Sequence, residues 1–455
     1  MSQILDKMPF FVYNTNPKTK RGFGDKKENN MKTNVDSMFS KYTEALNNLS
    51  EKLNDFNEEC LVLGENNPIE HIKYRLKDEK SIKNKLRYKM NLDYTLENIE
   101  NLTDVVGVRI VCSFKSDITK VVNYIKNNLG YEILDIRDYI KNPKDSGYSS
   151  YHLIVSVPVT VDGKTEFVKA EIQVRTTAMD VLSSQNHRIL YKQDYDKDSE
   201  FYLNLLKELK DTRIFVNNFD DSIDKLYQKR LESTTKKEKI IDDSISVEEM
   251  EIFLKKYNLA LDFLSEDFIK QIINEYYEED KYCPIEHVKW RIKSVSKMKS
   301  KLIEKGYDVS LDNLETYIND IGAIKIVCSF LDETEEIINL INSYSGFKIL
   351  EREDFITYPK ESGYRSYHFV VGVPVEIDNE RTYVKIEIQV RTIMMDFWAN
   401  VEHKMCFKKD VRKDIKEEFI RMSNILWEKE LRMNELARMS RDRKNNLRRK
   451  RTIIK

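Results

Sequence analysis

The chain contains the same unit twice, and this repeat constrains its fold more than any other feature. Three pairs of identical segments lie 216 positions apart: PIEH at 68–71 and 284–287, IVCSF at 110–114 and 326–330, and EIQVRT at 171–176 and 387–392. The six histidines form three pairs at the same spacing. Because each copy is long enough to bury its own core, we predict two tandem domains rather than a solenoid of short repeats.

Composition places the chain among folded, water-soluble proteins. Of its 455 residues 40% are apolar and 34% are charged, and the formal net charge is −1, so any affinity for nucleic acid must be local. No apolar run approaches the roughly 18 residues of a membrane span, and the first residues do not resemble a signal peptide. The five cysteines have no CxxC spacing, so we expect buried thiols in a reducing cytoplasm rather than disulfides or zinc ligands.

The repeat and the local composition also suggest domain boundaries. The polar segment STTKKEKIIDDSISV has no clear period and is typical of a linker. We predict a loosely ordered arm at 1–35, a first domain at 36–232, a linker at 233–247, a second domain at 248–437 and a basic tail at 438–455.

Within each copy the hydrophobic pattern alternates between helices and strands, which indicates an α/β fold. Residues 36–59, 201–230, 252–279 and 416–440 have helical spacing. VVGVRIVCSF and YHLIVSVPV are continuous apolar runs, as in buried strands, and VDGKT after the second is a hairpin signal. FVKAEIQVRT alternates, which puts Glu171, Gln173 and Arg175 on one face of a strand.

Acidic and basic residues accumulate around these strands. Asp104 precedes a buried strand that carries Arg109, and Glu171 lies on the polar face of another. Two such carboxylates could hold Mg²⁺, which completes its shell with phosphate and water. The nearby cations, with a ring and an imidazole for a purine and its phosphates, fit phosphoryl transfer. They are Arg75, Lys77, Lys83, Lys85, Arg137 and Lys144, with Ser81, Tyr148 and His152. Each residue alone also has an ordinary structural explanation.

Taken together, these segments resemble the synthetase domain of the RelA/SpoT family, and most closely its small alarmone synthetases. The matching segments of the first copy are Arg75-x-Lys77…Ser81-Ile82-Lys83-x-Lys85, Asp104-x-x-Gly107-x-Arg109, Arg137-Asp138-Tyr139…Lys144-x-Ser146-Gly147-Tyr148-x-Ser150-x-His152 and Glu171-x-Gln173-Val174-Arg175-Thr176. In the second copy, Phe397-Trp398-Ala399-x-x-Glu402-His403 resembles the helix that closes the family's site. The resemblance implies two nucleotidyltransferase-like domains, each with a mixed sheet flanked by helices.

The resemblance also implies an activity, which is Mg²⁺-dependent pyrophosphate transfer from ATP to the 3′-hydroxyl of GDP or GTP, yielding AMP with ppGpp or pppGpp. Glu171 would take the 3′-OH proton or help hold the metal, and Asp104 would carry the metal. In the first copy ATP would be bound by Arg75, Lys77, Ser81, Lys85, Arg109 and Arg137, and the acceptor by Lys144, Tyr148, His152 and Gln173. In the second copy the matching residues are Asp320 and Glu387 for catalysis, Arg291 and Lys293 for ATP, and Lys360, Tyr364, His368 and Gln389 for the acceptor. No His-Asp dipeptide occurs, so we expect no alarmone hydrolase.

The two copies depart from the family pattern in different places. On the ATP side the second copy has Lys297 for Ser81, Ala323 for Gly107, Lys325 for Arg109 and Glu353 for Arg137. On the acceptor side the first copy has Ser149 where the second has Arg365, Val181-Leu182 opposite Phe397-Trp398, and Asn186 opposite Glu402. We expect catalysis in the first copy, with nucleotide binding or scaffolding in the second; the reverse assignment stays open.

The basic tail leaves two further alternatives open. Residues 438–455 hold nine basic residues and one acidic residue, which is typical of a solvated helix end but also of an RNA contact. Some relatives transfer pyrophosphate to the tRNA 3′ end and others act on adenine nucleotides. The remaining alternative is an inactive sensor that binds alarmone or RNA. Because small alarmone synthetases form homotetramers, we also expect a homo-oligomer in which the tandem pair is half of one.

Overall fold

The protein is described by a computed structural model that covers residues 26–61, 67–144, 148–190, 199–231, 245–278, 283–377, 379–405 and 413–453. These residues form two compact units. One unit is built from the described part of Lys7–Ser183 and Lys207–Lys225, and the other from the described part of Ser184–Leu206 and Leu226–Lys455. Each unit contains the sheet of one copy of the repeat.

The elements of the two copies follow the same order. The first copy has α1 (Lys26–Leu61), β1 (Ile69–Leu76), α2 (Glu79–Asn84) with a π-helical turn (Lys85–Met90), α3 (Leu96–Glu100), β2 (Val106–Cys112), α4 (Lys115–Asn128), β3 (Glu132–Asp138), β4 (Tyr151–Val161), β5 (Lys164–Thr176), α5 (Thr177–Leu190) and α6 (Glu200–Leu231). The second has α7 (Val247–Asp262) with a π-helical turn (Phe263–Ile269), α8 (Lys270–Glu278), β6 (Ile285–Ile292), α9 (Val295–Glu304), α10 (Leu311–Tyr317), β7 (Gly322–Cys328), α11 (Leu331–Ser343), β8 (Lys348–Asp354), β9 (Tyr367–Ile377), β10 (Glu380–Thr392), α12 (Ile393–Met405) and α13 (Lys413–Ile453).

Each copy has one five-stranded mixed sheet. The strand order is β1-β2-β5-β4-β3 in the first copy and β6-β7-β10-β9-β8 in the second. Strands β2 and β5 are parallel, as are β7 and β10, and all other neighbours are antiparallel. The predicted α/β class with a mixed sheet is therefore confirmed.

The strands that sequence reasoning found are those with strong patterns. The hairpin joining β4 to β5 turns at Asp162 and Gly163, whose φ angles are 49° and 74°, as an Asp-Gly turn requires. Strand β3 was not predicted, because it lies at the sheet edge and most of its side chains are exposed. The sequence indicated β1 only as the start of a basic segment, without a strand pattern of its own.

The two faces of the first sheet differ in polarity. Ile172 and Val174 of β5 are fully buried in a hydrophobic core that also contains Leu49 and Leu53 of α1. The alternate residues of β5, Glu171 and Gln173, are only partly buried on the opposite face. A strand exposes successive side chains on opposite faces, so α1 covers the apolar face and leaves the polar face for chemistry.

Several predicted features lie at the borders of the described residues. Helix α1 begins at Lys26, ten residues before the predicted domain start, while residues 1–25 lie outside the described part of the chain. Of the linker only its end is described, where Ser246 and Glu249 form a capping box that starts α7. Helix α13 runs on to Ile453 through most of the basic tail.

Cys60, Cys112 and Cys328 are buried free thiols, as predicted. Within the described residues, every helix is too short or too polar to cross a membrane.

A buried acid connects α6 to the end of β5, and a second one connects α13 to the end of β10. The Thr176 hydroxyl donates to Asp220 of α6 at 2.8 Å, and Thr392 makes the matching bond to Glu430 of α13. Burial raises the pKa of both acids to about 7. Thr176 and Thr392 are 216 positions apart, whereas Asp220 and Glu430 are 210 positions apart. Measured from the preceding strand, α13 therefore comes six residues earlier in the second copy than α6 does in the first.

Burial of Asp220 predicts that the stability of the first unit depends on pH. Its pKa in the folded protein, about 7, exceeds the ordinary value of 3.8, so the folded state binds an extra proton between them. Stability should therefore fall as the pH rises from about 4 to about 7. We expect Asp220→Asn to flatten this dependence and to raise the melting temperature at about pH 8, measured by circular dichroism. The exposed neighbour Asp221 provides the control, Asp221→Asn; equal pH slopes for wild type and Asp220→Asn would contradict this assignment.

Candidate active site

The register of the first sheet brings the predicted site residues onto one face. Directly paired residues of neighbouring strands point to the same side, so two rows of side chains cross the sheet. One row is Arg75, Gly107, Glu171 and Ile154, and the next is Lys73, Arg109, Gln173, His152 and Arg137. The sheet therefore has a basic end at β1 and β2 and a mixed end at β4 and β3, with the Glu171 carboxylate between them.

Asp104 lies at the basic end, where two lysines hold it. The Lys77 ammonium is 2.5 Å from Oδ2 of Asp104 and the Lys85 ammonium is 2.8 Å from Oδ1. Burial alone would raise the pKa of Asp104, but the two ammonium groups lower it below its ordinary value. Burial also lowers the pKa of Lys77, against the attraction of Asp104. The pair of lysines thus keeps the carboxylate ionised.

Glu171 is the centre of a hydrogen-bonded chain at the mixed end. Its Oε1 is 3.0 Å from Nδ1 of His152, its Oε2 accepts from Nε2 of Gln173 at 2.7 Å, and Nε2 of His152 is 2.9 Å from the Tyr148 hydroxyl. Each ring nitrogen of His152 therefore has a partner, the Glu171 carboxylate at Nδ1 and the Tyr148 hydroxyl at Nε2. Burial acts to raise the pKa of Glu171, yet the bonds to His152 and Gln173 lower it overall.

Three rings and a lysine form a small aromatic cluster next to these hydrogen-bonded side chains. The Tyr139 and Tyr148 rings both meet the His152 ring edge-on, with centroids 5.1 and 5.7 Å away. The Lys144 ammonium lies 4.5 Å from the Tyr139 centroid and 5.2 Å from the Tyr148 centroid. The predicted acceptor residues Lys144, Tyr148, His152 and Gln173 are therefore brought together.

Sequence reasoning missed one residue that organises the basic end. Asp180, on the first turn of α5, is 1% exposed and is 3.0 Å from Nη1 of Arg109, 3.4 Å from the Lys73 ammonium and 3.5 Å from Nη1 of Arg175. His71 is 4.0 Å away. The signal was an acid inside the apolar segment TTAMDVL, since a buried carboxylate needs cationic partners.

Two predicted ATP-binding residues have other surroundings. The Ser81 hydroxyl donates to Asp78, the residue that caps α2, at 2.6 Å. Arg137 lies on the edge strand β3, where it pairs with Asp135 at 2.7 Å, and two strands separate it from the strand of Arg109. In the sheet it pairs with His152 of β4, the residue that contacts Tyr148.

The second copy repeats this arrangement with a different basic end. Lys293 and Lys301 hold Asp320, lowering its pKa to about 2 against the effect of burial. The Tyr364 hydroxyl is 2.9 Å from His368, which is 3.3 Å from Glu387, and Gln389 donates to Glu387 at 2.6 Å. Arg291 pairs with Ala323 across the sheet and Lys360 lies 5.1 Å from the Tyr364 centroid.

Lys325 stands where the first copy has Arg109. Its ammonium bonds to the buried Asp396, which also lies 3.7 Å from His287 and 3.6 Å from Arg391. Burial lowers the pKa of Lys325 to about 8 although Asp396 opposes this change. A lysine also lacks the planar two-pronged grip of arginine on phosphate. The second copy therefore has a weaker cation at this position.

The carboxylates of the site could hold a metal ion only together with the phosphates of a nucleotide. Within the described ranges, no group of three or more His, Cys, Asp or Glu residues could hold a metal ion. A Mg²⁺ ion that also binds a nucleotide needs only one or two protein carboxylates. Asp104 and Glu171 supply two carboxylates at this face, and the charge of Asp104 acts to raise the pKa of Glu171.

Comparison with known proteins identifies the family. A sequence signature described as a region found in RelA / SpoT proteins matches residues 74–196 and again 290–412, together more than half of the chain. The chain belongs to the RelA/SpoT family. Both matches begin within the first strand of a sheet, β1 or β6, and end beyond α5 or α12, so each spans the strands that carry the predicted site residues of its copy.

Among curated relatives, the chain is similar to two members of the family from Bacillus subtilis (strain 168). It is 39% identical to GTP pyrophosphokinase YwaC over 164 residues, which is 36% of this chain and 78% of YwaC. It is 36% identical to GTP pyrophosphokinase YjbM over 158 residues, 35% of this chain and 73% of YjbM. A solved structure of small alarmone synthetase 1 from Bacillus subtilis, bound to its product pppGpp, has 32% identity and covers 42% of this chain and 96% of its own, with a TM-score of 0.39.

Asp180 offers a test of how the basic end is organised. Asp180→Asn keeps the shape of the side chain but removes the charge that holds Arg109. Because hydrogen bonds to charged groups contribute about 1.5–3 kcal/mol, we expect the KM for ATP to rise about tenfold or more, with a smaller change in kcat. The matched control is Asp396→Asn in the second copy. A larger effect from the control than from Asp180→Asn would place ATP in the second copy instead.

Proposed function

We propose that the chain transfers the pyrophosphoryl group of ATP to the 3′-hydroxyl of GDP or GTP, and that the first copy carries out this reaction. Two relatives whose names describe this class of activity, YwaC and YjbM, align over 78% and 73% of their own lengths. The observation that carries the proposal is the position of Glu171, which is bonded to His152 and Gln173, lies on the same sheet face as Arg109 and is influenced by the charge of Asp104.

On the acceptor side, Glu171 serves as the proton acceptor. Its lowered pKa keeps it ionised at neutral pH, and the bonds from His152 and Gln173 fix its two oxygens. As the bond from the 3′-oxygen to the β-phosphorus forms, the 3′-OH proton passes to Glu171. The bond from that phosphorus to the α-phosphate oxygen breaks, and AMP leaves. Tyr148 and Lys144 lie where a guanine ring and acceptor phosphates can be held.

On the donor side, the cations of β1, β2 and the following turn bind the triphosphate. Arg75, Lys77, Lys85 and Arg109 neutralise the charge that spreads over the non-bridging oxygens during transfer. Asp104 and Asp180 keep three of these cations in place before ATP arrives. Ser81 contributes through α2, since its hydroxyl is engaged by the capping residue.

Asp104 and Glu171 are the residues that would hold Mg²⁺. When bound, the ion supplies further neutralisation of the transferred phosphates. Because both carboxylates already have ammonium, imidazole or amide partners, ATP and the ion are expected to bind together.

Transfer of label tests both the reaction and the choice of copy. With ATP labelled in its terminal phosphate, Mg²⁺ and GDP or GTP, we expect labelled ppGpp or pppGpp from the wild type. Glu171→Gln should lower this rate about a hundredfold or more, because it removes a general base. Glu387→Gln makes the same change in the second copy and should retain most of the rate. An unchanged rate in Glu171→Gln would sink the assignment of the first copy.

The acceptor is tested in the same assay. The run of basic residues in 438–455, most of which belong to α13, favours tRNA as the alternative acceptor. Labelled tRNA with no labelled guanosine product would transfer the assignment to tRNA. Label on an adenine nucleotide acceptor would transfer it to that nucleotide, and no transfer to any acceptor would favour a nucleotide sensor.

Arg109→Lys gives the first copy the residue of the second. We expect the KM for ATP to rise about tenfold, because lysine cannot make two parallel bonds to phosphate. Arg87→Lys, at an exposed position of the same copy, controls for the loss of an arginine as such. Equal KM values for Arg109→Lys and wild type would mean that Arg109 does not touch the triphosphate.

A further inference from the structure

The acceptor loop of the second copy, Phe355–Ser366, is fastened by the two helices that follow the catalytic strand. Nε1 of Trp398 in α12 donates to the main-chain oxygen of Ser362 at 3.1 Å. The Arg365 guanidinium lies 3.9 Å from the ring centroid of Trp427 in α13 and also donates to the main-chain oxygen of Ile356. Arg365, Trp398 and Trp427 therefore hold the loop from both helices, and we call these three residues the loop clamp.

Glycine is required where α13 touches the loop. Gly363 has a φ of 77°, and a Cβ atom built there would lie 2.0 Å from the Ser423 hydroxyl oxygen and 2.3 Å from its Cβ atom. The Ser423 side chain of α13 thus packs directly against the backbone of Gly363 and leaves no room for a side chain there. The Trp398 ring in turn packs on Phe419 of α13 with centroids 4.2 Å apart, so both helices support one another under the loop.

The first copy cannot form this clamp. Ser149 stands where the second copy has Arg365, and Leu182 stands where it has Trp398. Because the last helix is displaced by six residues between the copies, the counterpart of Trp427 is Asn217, which has no ring for an arginine to stack on. The clamp is therefore a property of the second copy.

Beneath the clamped loop, the groups that would hold an acceptor nucleotide are complete. The Lys360 ammonium lies 4.4 Å from the Phe355 centroid, next to Tyr364. Nη2 of Arg391 donates to the Tyr364 hydroxyl at 2.9 Å, in addition to that tyrosine's contact with His368. Ring, ammonium and imidazole are thus fixed relative to one another without a ligand, which reduces the ordering cost of binding.

The donor side of the same copy is poorly equipped for reaction. Lys325 stands at the position of Arg109, where it bonds to the buried Asp396; burial lowers its pKa to about 8, and a lysine lacks the two-pronged grip of an arginine on phosphate. A nucleotide in this acceptor site would therefore meet a weak partner for the ATP phosphates. Binding without transfer is the expected outcome.

We infer that the second copy is a preformed site that binds GDP or GTP without converting it, and that the loop clamp sets its affinity. The identity of this ligand rests on the acceptor in the proposed function.

Equilibrium dialysis of GDP against the full chain, without ATP, tests this inference. We expect two GDP sites per chain. Lys144→Ala should weaken the site in the first copy and Lys360→Ala the site in the second. With Lys144→Ala as background, Arg365→Ser, which installs the residue of the first copy, should raise the remaining Kd about tenfold, because it removes the stack on Trp427. In the same background, Arg381→Ser is the matched control: it removes an exposed arginine of β10 that lies 5.8 Å from the Tyr383 ring centroid, outside the loop, and should leave the remaining Kd unchanged.

The outcomes separate this inference from the proposed function. One GDP per chain that is lost in Lys144→Ala and kept in Lys360→Ala would overturn the inference and leave the reaction of the first copy intact. No GDP at either site would overturn the proposed acceptor as well. An unchanged Kd in Arg365→Ser would remove the role of the clamp, and Trp427→Asn checks the same stack from the other side. Circular dichroism of each variant shows whether it is folded.

Discussion

The parallel pairing of β2 with β5 is the constraint on which the site depends. It sets Gly107 beside Glu171 and Arg109 beside Gln173, and so joins the strand that carries Arg109 to the strand that carries Glu171, the proposed general base. The antiparallel neighbours β1 and β4 then add the basic residues on one side and His152 on the other. A shift of β5 by one residue would turn Glu171 and Gln173 towards the apolar core.

The cations of the site are held by acids of the protein itself. Arginines and lysines that gather to bind a triphosphate repel one another when no phosphate is present. Asp104 between two lysines, and Asp180 among Arg109, Lys73 and Arg175, offset that repulsion and fix the direction of each cation. Asp180 is as much a part of the donor site as the arginine that it holds, although it need not touch a substrate.

The two copies keep one backbone plan and divide its chemistry. The hydrogen-bonded chain from tyrosine through histidine to glutamate is present in both, with nearly the same distances. The first copy has Arg109 where the second has Lys325, whereas the second copy has the loop clamp and the first does not. Duplication of the domain allows this outcome, because the polar sheet face of one copy can change while the fold, which depends on the apolar face, is unaffected.

The sequence alone determined the tandem repeat, the α/β class, the central strands and the family, because exact repetition, buried apolar runs and closely spaced motifs are local signals. It also indicated Asp104, Glu171, Lys144, Tyr148 and His152 as neighbours. Only the tertiary structure placed Arg137 beside His152, revealed Asp180 and displaced α13 so that Trp427 meets Arg365. Those facts depend on strand order and on the packing of helices distant in sequence, and no local pattern of residues encodes which partners a buried carboxylate or an exposed ring will find.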